Sequence, residues 1–122
     1  MYRTAEETAC ILAVILNRSG QSRARLSAKT VKFVGGRKHL RSAYVVDVTA
    51  VLADRFGWLM AELDGGGYGA VQVKALVGAK PVKAVGYLDE EEMRALRKGT
   101  LDAEALASRE FDDEADQEDA ED

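Results

Sequence analysis

Between residues 18 and 41 the chain carries eight Lys or Arg side chains (Arg18, Arg23, Arg25, Lys29, Lys32, Arg37, Lys38 and Arg41) and His39, with no Asp or Glu. Side chains of this kind bind anions. A solvated surface usually mixes both signs, so an uncompensated run of this length points to a polyanion, and the phosphate backbone of nucleic acid is the one that fits. Other chemistries lack their residues. Cys10 and His39 are each the only one of their type, which leaves no internal disulfide and no zinc site. The glycines at 65–69 are not followed by the Lys-Ser/Thr of a phosphate-binding P-loop. Glu90, Glu91 and Glu92 read as the start of a helix and not as a catalytic carboxylate pair. With no nucleophile–base–orienter set in view, neither enzyme activity nor a cofactor or metal is expected.

The net charge of −4 conceals a polarity along the chain. Residues 1–88 hold 13 Lys and Arg against 6 Asp and Glu, or +7, whereas residues 89–122 hold 4 against 15, or −11. The acidic total is therefore no argument against an anionic partner for the first part. A length of 122 residues with 47% hydrophobic and 31% charged content fits one small globular domain. The longest apolar run, 9–16, is too short for a bilayer, and Glu6 and Glu7 before it have the wrong sign for a signal peptide. A cytoplasmic protein without a membrane partner is expected.

Local patterns predict the elements that position the basic run. Thr4 and Glu7 have capping-box spacing ahead of a helix over 8–17, apolar nearly all round and so expected at the centre of the core. Residues 21–26 form a basic connection or a short strand. Ser27 caps a short helix over 28–34 that points Val31 and Val34 inward, and Gly35-Gly36 stops it. After a turn over 37–41, Ser42 is the expected cap of a third helix. There Tyr44, Val48, Val51, Leu52 and Phe56 recur at helical spacing, and Gly57 ends it. Residues 58–63 and 70–75 read as two strands of a hairpin around a glycine-rich loop over 64–69. Residues 76–88 are expected to be irregular and packed across the domain. Asp89 and Glu92 repeat the capping-box spacing, Gly99 ends that helix, and Thr100 is the expected cap of another over 101–108.

Helix, basic short helix, glycine turn, helix and β-hairpin, with the Phe56-Gly57-Trp58-Leu59 junction from helix to strand, resemble a winged helix-turn-helix DNA-binding domain over residues 4–76. The resemblance implies an α+β, mainly helical fold of three helices and a β-hairpin wing, over 1–88. A helical extension (89–109) and a disordered acidic tail (110–122) follow it. It also implies that the third helix enters the major groove of duplex DNA. Arg41 would then read guanine, and Val45 or its neighbour Val46 a thymine methyl, with Thr49 on the same part of the helix. Ser42, Lys29, Lys32, Arg23 and Arg25 would hold phosphates, and Arg37, Lys38 and His39, the last a phosphate or base contact, precede the helix start. The hairpin tip departs from the usual cationic wing, because it offers only Asp64, glycines and Tyr68. Backbone N–H groups and the Tyr68 hydroxyl are its phosphate donors in this reading; a protein contact is the other use.

The expected function is that of a duplex DNA-binding protein, a transcriptional regulator or a phage- or plasmid-type accessory factor, homodimeric on a paired site. The alternative is a winged-helix adaptor in a larger protein complex, with the tail as its docking arm. Nine of the thirteen residues over 110–122 are Asp or Glu. They read either as a solubilising tail or as a mimic of DNA that competes for the basic run.

Overall fold

The computed structural model describes residues 2–121, with side chains through Asp112. The chain divides into two compact units, Met1–Ala79 and Lys80–Asp122. The first is an α+β unit in the order α1 (Ala5–Ser19), β1 (Arg23–Leu26), α2 (Ala28–Gly35), α3 (Ser42–Phe56), β2 (Trp58–Glu62) and β3 (Tyr68–Gln72). A 3-10 turn over Val73–Leu76 follows. The three strands make an antiparallel sheet in the order β1-β3-β2, so the last strand in sequence is the middle one in space. Register places Arg23 opposite Val71 and Leu26 opposite Tyr68 on one side, and Trp58 opposite Gln72 on the other.

The helices begin where side chains can satisfy their free N–H groups. Thr4 and Glu7 form a complete capping box, so α1 starts at Ala5, earlier than the apolar run alone suggests. Ser27 accepts from the Thr30 N–H at the start of α2. The third helix departs from expectation. Ser42 is its first helical residue, and Arg41 occupies the cap position without a side-chain hydrogen bond.

One core holds this unit together: Leu12 and Leu16 from α1, Val31 and Val34 from α2, Tyr44, Val48 and Leu52 from α3, and Trp58, Met60, Tyr68 and Ala70 from the hairpin. The first helix is less enclosed than expected, since Ile11, Val14 and Ile15 lie exposed on its other side. Cys10 is half-buried, and its sulfur accepts from Arg55 Nη1 at 3.5 Å.

A polar contact crosses this core. The hydroxyls of Thr8 on α1 and Tyr44 on α3 share a buried hydrogen bond. The tyrosine oxygen reaches so far into α2 that a Cβ on Gly35 would lie 2.5 Å from it and 3.5 Å from Thr8 Oγ1. Gly35 is therefore a packing residue as much as a helix stop.

The second unit consists of α4 (Ala84–Tyr87), α5 (Glu90–Lys98) and α6 (Ala103–Glu121). Asp89 and Glu92 form the expected capping box, with a glutamate-rich first turn and Arg97 and Lys98 in the last. Asp102, not Thr100, caps the following helix, its carboxylate accepting from the Ala105 N–H. Residues 76–88 do not pack as expected: Val77, Val82, Val85 and Tyr87 are all exposed. The helical backbone of α6 runs through Glu121, into the segment expected to be a disordered tail. Alanine and glutamate in that segment are good helix formers. Its side chains beyond Asp112 lie outside the described residues. No described helix is long and apolar enough to cross a membrane.

Gly35→Ala is expected to destabilise the protein by about 1–3 kcal/mol, the usual range for overpacking a filled core. Combining it with Tyr44→Phe removes the oxygen that the new methyl strikes. Urea denaturation of the four forms of this double-mutant cycle should show a clearly smaller cost for Gly35→Ala beside Phe than beside Tyr.

Candidate nucleic-acid interface

The basic run is distributed over consecutive elements with short links. Alternation along β1 leaves Arg23 and Arg25 exposed while Ala24 and Leu26 turn inward. Ser27 alone separates this strand from α2, where Val31 and Val34 pack inward and Lys29 faces solvent, with Lys32 half-buried. Lys38, His39 and Arg41 are exposed in the connection to α3, as is Ser42 at that helix's first position. Among the described residues the one ion pair is Arg55 with Glu6, at 2.6 Å. Arg23, Arg25, Lys29, Lys38 and Arg41 thus have no carboxylate partner among the described residues.

The hairpin turn approaches the start of α2. Arg25, Leu26, Ser27, Ala28, Gly66, Gly67 and Tyr68 line one recess. Gly67 has a left-handed φ of 77°, and a Cβ there would stand 3.0 Å from the Leu26 carbonyl oxygen. Arginine and a helix N-terminus at one recess both favour negative charge.

Besides Lys32, four residues assigned to the interface from sequence turn at least partly inward: Arg37, Val45, Thr49 and Tyr68. Arg37 folds back over the protein. Its guanidinium carbon lies 3.6 Å from the Tyr44 ring centroid and 4.9 Å from that of Tyr2. Its Nη2 donates to the Arg3 carbonyl at 2.9 Å. Arg3 in turn donates from Nη1 to the Val34 carbonyl at 2.8 Å and from its backbone to Gly35 at 2.9 Å, tying the N-terminal segment to the end of α2. Tyr68 is not at the hairpin tip but is the first residue of β3, only 8% exposed. Burial, followed by the charge of Glu62 opposite it, raises its hydroxyl pKa above the ordinary value. Val45 packs against the core and Thr49 is half-buried, its hydroxyl donating back to the Val45 carbonyl at 2.8 Å. Val46, 64% exposed, is the valine that faces outward.

Beyond its first turn the exposed residues of α3 are Val46, Asp47, Ala50, Asp54 and Arg55, the last paired with Glu6. The acids of α3 thus stand beyond its first turn, and its N-terminal end carries none. Phe33, which carries no sequence-based assignment, is exposed on the solvent side of α2. The inward direction of Val31 and Val34 already implies that Phe33 points outward.

The different settings of two arginines predict different consequences. Arg37→Ala removes a stacked, hydrogen-bonded group and should lower stability by about 1–2 kcal/mol. Arg41→Ala removes an exposed side chain and should stay within about 0.5 kcal/mol of the parent. Thermal or urea denaturation of both variants measures the contrast, and equal losses would contradict the inward placement of Arg37.

No family profile, curated protein or solved structure matches this chain in the comparisons made.

Proposed function

We propose that the first unit is a winged helix-turn-helix domain that binds duplex DNA, in a transcriptional regulator or a phage- or plasmid-type accessory factor. The carrying observation is the set of five exposed cations, Arg23, Arg25, Lys29, Lys38 and Arg41, none with a carboxylate partner among the described residues. The order α1-β1-α2-α3-β2-β3 with its three-stranded sheet supports it, since it offers a helix start and a hairpin flanking a short helix. In this reading the exposed end of α3 enters the major groove, where Arg41 is placed to read a base edge. Arg23, Arg25, Lys29 and Lys38 hold phosphates and supply affinity without sequence information.

Asp47 and Asp54 on the outward stripe of α3, together with Asp64 at the hairpin tip, favour a second reading. Here the same surface is a docking face for a protein in a larger complex.

Salt dependence separates the two. Five phosphate contacts give a slope of log affinity against log salt of about −4.5. Lys29→Ala should flatten that slope by about one and weaken all sequences alike, whereas Arg41→Ala should relax selectivity at one base position. Fluorescence anisotropy on duplex DNA, followed by selection from a random duplex pool, provides both measurements. Absence of binding at low salt, or a flat salt response, would favour the protein-docking reading.

The acidic segment supplies a further outcome. Deleting residues 110–122 removes nine carboxylates from a molecule that must approach a polyanion. The truncated chain should bind duplex more tightly at low salt, with the difference shrinking as salt rises. Unchanged affinity would leave the segment a solubilising role only.

A further inference from the structure

Phe33 is 83% exposed on α2, with its ring in water while Val31 and Val34 on the same helix are buried. Lys29 lies one turn earlier on the same solvent side, and Lys32 is adjacent. Lys38 and His39 follow in the exposed connection to α3, and no acid occurs anywhere over 18–41. A large flat apolar group beside cations that have no carboxylate partner among the described residues fits a ligand that is both strongly anionic and built of flat apolar rings. Nucleobases on a phosphate backbone meet both requirements.

Inside a continuous duplex the faces of the bases are covered by their neighbours, so an aromatic side chain can stack only on a base that has left the stack. We infer that Phe33 is a base-stacking residue. Its ring packs against an unpaired or extruded base while Lys29 and the neighbouring cations hold the flanking phosphates. The ligand class follows: DNA carrying a bulge, gap or single-stranded segment beside duplex, in preference to uninterrupted duplex. The inference rests on the DNA-binding reading and narrows its substrate.

The experiment titrates the full chain against two labelled probes of equal length, a perfect duplex and one with a two-nucleotide bulge, at several salt concentrations. The parent should bind the bulged probe about tenfold more tightly, the order of one stacked base. Phe33→Ala should erase that preference and leave the salt slope unchanged, because the number of neutralised phosphates is the same. Phe33→Trp should retain the preference. Circular dichroism controls for folding, which an exposed ring should not affect.

Equal parent affinity for both probes overturns the inference, as does a preference that survives Phe33→Ala. A uniform loss on both probes overturns it as well, since the ring would then be touching the duplex exterior. In those three outcomes the protein still binds DNA, so the DNA-binding reading stands. A parent that binds neither probe at low salt overturns both, and an acidic protein becomes the partner that fits the ring.

Discussion

The hydroxyl of Tyr44 sets the geometry of the first unit. It bonds to Thr8 on one helix and occupies the space above Gly35 on another, so one oxygen fixes the approach of three helices. Apolar packing alone tolerates small slides and rotations, whereas a buried hydroxyl pair has a narrow range of satisfied positions. The face of the same ring receives Arg37, whose guanidinium also bonds to the N-terminal segment. The connection between α2 and α3 is thereby held from both sides. The exposed end of α3, including Arg41, inherits its position from this cluster.

Much of this arrangement is legible locally. The two capping boxes, the Ser27 cap and the Tyr44–Val48–Leu52 stripe depend on residues within a few positions of one another, and each forms as read. For Arg37 and for β1 the deciding partner is distant in sequence. Arg37 looks like another member of a basic run until Tyr2 and Tyr44 are brought to it. Tyr68 looks like part of a loop because glycines stand on both sides. Yet Gly69 belongs to β3, where the Leu63 side chain comes within 3.2 Å of the place its Cβ would occupy. The pairing of β1 with β3 leaves no trace in either strand alone, since four residues with two arginines carry little β signal. Thr49, which the resemblance assigns to the recognition face, bonds back to its own preceding turn, as threonine in a helix can.

Charge is partitioned along the same boundary as structure. Residues 1–79 hold 11 Lys and Arg against 6 Asp and Glu, whereas residues 80–122 hold 6 against 15. The acidic isoelectric point therefore describes neither unit. Within the first unit seven of the eleven cations stand on β1, α2 and the following connection, while the acids of α3 lie further along its exposed stripe. In the proposed complex this divides labour, with affinity drawn from the strand and short helix and selectivity confined to one helical turn.

The sheet order has a consequence for how the chain comes to fold. Because β3 lies between β1 and β2, neither of the earlier strands has any sheet partner until the chain is complete to Gln72. On the ribosome, α1, α2 and α3 can form turns and begin to collapse while β1 still waits for a strand some 45 positions downstream. The Arg23–Leu26 backbone is then an open edge during synthesis, and its two arginines are the kind of side chain that discourages pairing with a neighbouring nascent chain. The residues proposed to grip phosphate would thus serve earlier as a guard against misassembly.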